Sequence, residues 1–142
     1  LCIVETQIEG SRVEALASSI GYDDNAYAVD SQGRSGGIGL FRNNSIKVEV
    51  IGYSVYHLDV SIEEHDQQKW RITCVYGEAQ THLRHPTWMG LKNRSTLSTL
   101  PWLCMGDLNE SYVRMSTKEF VNATMLKSKR FETPHIFACC WT

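Results

Sequence analysis

The chain has 142 residues, 42% apolar and 21% charged, enough apolar material for one packed domain and too much for wholesale disorder. Fourteen Lys and Arg against 16 Asp and Glu leave a formal charge of -2, which excludes a histone-like polycation but not a local basic surface for nucleic acid. No apolar run approaches the roughly 20 residues of a membrane helix. Leu1 opens no leader of basic then apolar residues, and an odd set of five cysteines without a Cys-x-x-Cys pair predicts reduced thiols in an intracellular protein.

In chain order, Leu1–Glu5 is a short apolar run that predicts a buried strand. Ser11 followed by Glu14 reads as a capping box, with Val13, Leu16, Ala17 and Ile20 at helical spacing behind it and Gly21 suited to the exit. Strand signals then dominate as far as Gly77, with candidates at 25–30, 37–42, 46–51, 56–62 and 69–76. Asn43-Asn44 predicts a hairpin turn between two of them, since Asn tolerates positive φ. Residues 30–33 predict a second turn and the polar residues 63–68 an exposed loop. Gly36, Gly37 and Gly39 inside a strand pattern predict a bulge or the close approach of another backbone. A meander of antiparallel strands flanked by helices is an α+β layered fold.

Between Glu78 and Asp107 there is no acidic residue, while His82, Arg84, His85, Lys92 and Arg94 all fall there. A helix is predicted over Pro86–Ser98, with Pro86 in its first turn and Trp88, Leu91 and Leu97 facing inward. Its basic character fits either a solvated face or a surface turned to phosphates. Pro101–Asp107 predicts another strand. Residues 111–142 carry a net +3 against -5 before them, and there a helix from Ser116 to about Lys127 and a strand over Phe137–Trp141 are predicted.

The chemistry concentrates where apolar strands stop. Trp102-Leu-Cys-Met-Gly-Asp107-Leu-Asn109-Glu110 ends a strand in an acid and an amide two residues apart, which share a side of an extended segment. A carboxylate is a hard oxygen ligand suited to Mg²⁺ or Mn²⁺, and a neutral amide beside it orients a phosphate or a water without repelling either. Glu5 closes the first apolar run and Tyr76 the run from Trp70, so three strands each deliver a polar side chain at their exit.

With these pieces in view, the sequence resembles the endonuclease/exonuclease/phosphatase superfamily, and within it the apurinic-type endonuclease domains of plant LINE retrotransposons. The resemblance runs from Leu1 to about Glu110 and keeps the family's order: Val4-Glu5-Thr6, Gly33–Leu40, Trp70–Glu78, His82–Trp88 and Pro101–Glu110. It implies a partial four-layer α/β/β/α sandwich of mostly antiparallel strands, and Mg²⁺- or Mn²⁺-dependent hydrolysis of a phosphodiester in DNA, in an intracellular and nuclear setting. It implies Glu5 as the metal ligand, Asp107 as the residue that activates or positions the attacking water, and Asn109 and Tyr76 beside the scissile phosphate, with Arg84 also toward the substrate. It further implies that the family's first strand and its C-terminal Ser-Asp-His motif are missing from this chain, so that residues 1–110 form a partial domain and 111–142 an unrelated or poorly ordered tail. Without that histidine the transition state loses a stabiliser, so the isolated chain is expected to be inactive, a remnant that binds nucleic acid or protein; a phosphoesterase of the same superfamily is a further alternative.

Overall fold

The apolar runs of the first hundred residues divide between two sheets. The computed structural model describes residues 1–22, 25–33, 35–65, 67–109 and 138–139. A three-stranded sheet, ordered β1-β3-β2, is built from β1 (Cys2–Val4), β2 (Ala26–Gln32) and β3 (Ser35–Phe41). A five-stranded sheet, ordered β4-β5-β6-β7-β8, is built from β4 (Lys47–Ser54), β5 (His57–Glu63), β6 (Lys69–Tyr76), β7 (Trp102–Asp107) and β8 (Ala138–Cys139). Neighbours run antiparallel except β6–β7 and β7–β8, which are parallel. The chain is therefore α+β, with mostly antiparallel strands. Of the two elements predicted near the C-terminus, β8 falls inside the expected 137–141 strand, and the helix from Ser116 lies outside the described residues.

Asn43-Asn44 is not a hairpin turn but the crossing from one sheet to the other. Asn43 Oδ1 accepts the Ser45 amide at 3.3 Å and its carbonyl accepts the Ile46 amide at 3.1 Å, while Asn44 Oδ1 takes Asn25 Nδ2 at 2.7 Å. These short-range bonds redirect the chain from β3 to β4. The turn expected over 30–33 comes later, because Asp30, Ser31 and Gln32 all remain in β2 and the reversal falls at Gly33 with φ 63°.

Alternation along each strand sets which face is buried. Leu58, Val60 and Ile62 on β5 and Ile72, Cys74 and Tyr76 on β6 face Val29, Ile38 and Leu40 of the smaller sheet, forming one core between the sheets. Tyr27 ties the sheets further by donating its hydroxyl to the Val48 carbonyl at 3.1 Å.

The helix α1 (Gly10–Ala15) covers the outer side of the smaller sheet, packing Val13 and, just beyond its end, Ala17 against Phe41. Gly39 leaves room for it, since a Cβ there would lie 2.6 Å from Val13 Cγ1. The predicted capping box does not form. The helix starts one residue earlier than Ser11, and the Gly10 amide donates instead to Asp30 Oδ1 at 2.7 Å, so the cap comes from β2. Gly21 ends the following 3₁₀ turn (Ser18–Ile20) with φ 86°, as expected, whereas Leu16 and Ile20 are exposed rather than inward.

The outer face of the larger sheet is polar. Arg71 is 1% exposed and Asp59 1%, and they form a two-pronged ion pair in which Arg71 Nε donates to Asp59 Oδ1 at 2.8 Å and Nη2 to Oδ2. Thr73 Oγ1 donates to the same carboxylate at 2.9 Å, and Trp102 Nε1 donates to Thr73 Oγ1 at 2.8 Å. The helix α2 (His85–Arg94) meets this face through polar contacts: Arg71 Nη1 donates to the Arg94 carbonyl at 2.7 Å, and Arg94 Nε lies 3.9 Å from Asp59. The helix ends at Arg94, short of the predicted Ser98, so Leu97 lies beyond it and stands 67% exposed, and the buried helical residue is Thr87, not the apolar stripe predicted.

His57 is buried on the same face, with Nδ1 2.5 Å from Ser54 Oγ and, among the described residues, no partner for Nε2. Burial, and then the nearby Arg94, push its pKa down from 6.5 to about 4, with Asp59 opposing.

Two outcomes follow from this face. Arg71→Met, which strands the Asp59 carboxylate, is expected to lower unfolding free energy by about 3–5 kcal/mol in urea titrations. His57 binds its proton more readily unfolded than folded. Its contribution is therefore complete above pH 6.5 and is lost as pH falls toward 4, on the order of 3 kcal/mol in all, a slope that His57→Gln should flatten in the same titrations.

Candidate active site

Parallel pairing places the exits of β6 and β7 at the same edge of the sheet, with Tyr76 and Asp107 opposite one another in register. The two backbones close tightly there. The Gly77 amide donates to the Asp107 carbonyl at 2.6 Å, and a Cβ on Gly77 would sit 2.4 Å from the Leu108 carbonyl oxygen. Gly106 has φ 139°, and a Cβ on it would lie 1.9 Å from the Val75 carbonyl oxygen. Both positions exclude any side chain, which gives the glycine before Asp107 its physical reason.

Asp107 and Asn109 converge, though not as an extended i, i+2 pair. The strand stops at Asp107, and Asn109 takes a left-handed conformation with φ 52°. The Asn109 amide donates to Asp107 Oδ1 at 2.7 Å, and Asn109 Nδ2 donates to the Gly77 carbonyl at 2.7 Å. A side-chain-capped turn thus holds the amide beside the carboxylate.

The third strand arrives from the other sheet. Beyond β1 the chain is bound to β3 by Thr6 N to Gly37 O at 3.2 Å and Gln7 N to Gly36 O at 3.1 Å. Gly37 makes this approach possible, since with φ 87° its missing Cβ would fall 2.2 Å from the Thr6 side-chain hydroxyl and 3.4 Å from the Gln7 backbone nitrogen. Glu5 and Gln7 are left-handed, with φ 58° and 55°. Non-glycine residues held there cost about 1–3 kcal/mol each, and such strain gathers at functional sites. It aims the exposed Glu5 carboxylate at the sheet edge, where Oε1 accepts the Tyr76 hydroxyl at 3.2 Å and Gln7 Nε2 at 3.2 Å.

Glu5, Tyr76, Asp107 and Asn109 therefore share one edge of two packed sheets. Burial and then the Glu5 charge raise the Tyr76 pKa, while hydrogen bonds with Asn109 and Ser35 pull the other way, so at neutral pH the phenol remains a proton donor. Arg84 stands one step back. It is buried, and its Nε and Nη2 donate to the carbonyls of Glu78 at 3.1 Å and Ala79 at 2.9 Å, bracing the loop after Gly77. Of the basic stretch, His82, His85 and Lys92 are exposed.

Sequence reasoning missed Ser35 and the Tyr56–Glu78 pair, in which Tyr56 donates to Glu78 Oε2 at 3.0 Å beside the loop. Ser35 carries no local signal, because only the packing of the sheets brings it to Tyr76.

Among the described residues no group of three or more His, Cys, Asp or Glu side chains gathers as a metal cage. Mg²⁺ needs none, since it keeps several waters and binds through one or two carboxylates. Glu5 is solvent-exposed with Oε2 accepting no hydrogen bond among the described residues, and Asp107 supplies a second hard oxygen, so the donor set fits such an ion. No protein-family model and no curated protein sequence matches the chain. Among the described residues no helix is long and apolar enough to cross a membrane.

Gly106→Ala is expected to destabilise the protein by about 3 kcal/mol or more, because neither the φ nor the Val75 carbonyl can give way cheaply. Chemical denaturation of the variant reads this directly, with Gly52→Ala, whose added Cβ meets nothing within 4 Å, as the comparison.

Proposed function

We propose that the chain is a metal-dependent DNA endonuclease domain of the endonuclease/exonuclease/phosphatase type, akin to those of plant LINE retrotransposons. We take α1, the two sheets and α2 to be the layers of a partial α/β/β/α sandwich. The observation that carries the reading is the meeting of Glu5, Tyr76, Asp107 and Asn109 at one edge of the two sheets, three of the four on the exits of different strands.

In this reading Glu5, with Asp107 nearby, holds Mg²⁺ or Mn²⁺, which when bound neutralises charge on the phosphate and assists the leaving oxygen. Asp107 orients a water and accepts its proton as the water oxygen bonds to phosphorus and the ester P–O bond breaks. On substrate binding Tyr76 turns its hydroxyl from Glu5, and Asn109 its second amide hydrogen from Tyr76, to the non-bridging oxygens where charge builds. The exposed His82, His85 and Lys92, on a stretch without acids, suit a polyanionic strand better than a small phosphoester.

A supercoiled-plasmid assay tests this. Relaxation that requires Mg²⁺ and stops with EDTA would support the reading and show that the four residues suffice without the missing histidine, with Asp107→Ala then lowering the rate about 10³-fold or more and Tyr76→Phe about 10²-fold. Folded protein that retards DNA but does not nick it would instead make the chain a non-catalytic binder, and folded protein that hydrolyses only a small phosphoester would move it to the phosphatase branch.

A further inference from the structure

Cys2 and Cys74 are free thiols, half-buried and buried, on strands of opposite sheets. Cys2 is in register with Leu40 and Cys74 with Leu58, and both leucines point into the core between the sheets. Cys74 belongs to that core and Cys2 packs against it. A hydrogen bond to Cys2, followed by burial, holds the Cys74 thiol well above its usual pKa range. Cys104 also acts on Cys74 through its charge, but it is in register with Thr73, whose hydroxyl serves the outer face.

We propose that Cys2 and Cys74 are a redox pair that closes as a disulfide between the two sheets. The same two strands carry Glu5 and Tyr76 to their 3.2 Å contact. The bridge therefore ties β1 to β6 directly beneath the site and fixes the spacing of these side chains.

Cys2, the more exposed thiol, is the point of entry. Its thiolate attacks one sulfur of a small-molecule disulfide such as oxidised glutathione, a small thiolate leaves, and Cys2 carries the mixed disulfide. Cys74 then attacks the Cys2 sulfur, its proton passing to the departing second thiolate. Both protein thiols are oxidised, by two electrons in total, and the small disulfide is reduced to a pair of thiols. Once Cys2 carries the mixed disulfide, burial still disfavours the Cys74 thiolate, so the second step is slow at neutral pH and faster as pH rises.

The test is incubation of the native full chain with oxidised glutathione, capping of remaining thiols, and peptide mapping by mass spectrometry without reduction. The expected product is a peptide pair joined through Cys2 and Cys74 that dithiothreitol releases. It is absent from Cys2→Ser, whose half-buried site tolerates the change, and retained in Cys104→Ser. A stable glutathione adduct on Cys2 alone, or Cys2 joined to any other cysteine, overturns the proposal. Mapping needs no enzymatic activity, so it separates this inference from the nuclease reading. A chain that crosslinks yet nicks in neither redox state keeps the pair and discards the nuclease, and a chain that nicks without crosslinking does the reverse.

Discussion

The parallel pairing of β6 with β7 is the constraint on which the rest of the site depends. Antiparallel neighbours would send the exits of the two strands to opposite edges of the sheet, and Tyr76 and Asp107 would stand a strand length apart. Parallel pairing requires a crossover, which the chain makes through residues 77–101 and α2. It also requires the two exits to pack backbone on backbone, which Gly77 and Gly106 permit. Once the pair is formed, Asp107 accepts the Asn109 amide, Asn109 grips the Gly77 carbonyl, and Tyr76 reaches across to Glu5. Each bond narrows the freedom of the next, and the result is a rigid arrangement of the kind catalysis requires of its polar groups.

The two faces of the larger sheet do different work. Its inner face is apolar and holds the smaller sheet, so that β1 brings Glu5 to the right edge. Its outer face carries an ion pair almost fully removed from water. Such a pair adds little net stability compared with well-packed apolar residues, but losing one partner is severe. The Asp59–Arg71 pair, with Thr73, Trp102 and the Arg94 carbonyl, also fixes where α2 ends on the sheet. The helix that closes the crossover is thus located by directional bonds, which specify one position more sharply than apolar contact does.

Much of this was legible in the sequence where the signal is local. Residues 69–76 were read as a strand with their observed bounds, because an apolar run of strand length is bounded by polar residues before and a glycine after. Glu5, Tyr76 and Asp107 stand out because each closes such a run, and Asn109 because it follows Asp107 by two residues; the structure brings all four together. The errors have a common physical origin in long-range contacts. Asp30 displaced Ser11 as the helix cap from twenty residues away, Asn43-Asn44 joined two sheets instead of two neighbours, and α2 meets a polar face, so its buried residue is Thr87. The buried Asp59–Arg71 pair was invisible for the same reason, since nothing in a single strand shows that its charged residue meets an opposite charge on the neighbouring strand. Even the Asp107–Asn109 convergence came by a left-handed turn that alternation does not foresee.

The most direct measurement of the central claim is paramagnetic broadening by Mn²⁺ in NMR spectra of the isotope-labelled chain. Substoichiometric Mn²⁺ is expected to broaden resonances around Glu5, Tyr76, Asp107 and Asn109 first, and Mg²⁺ in excess should restore them. Broadening centred elsewhere, for instance at Glu63 and Glu64 at the end of β5, with the Glu5 and Asp107 signals untouched, would contradict the account.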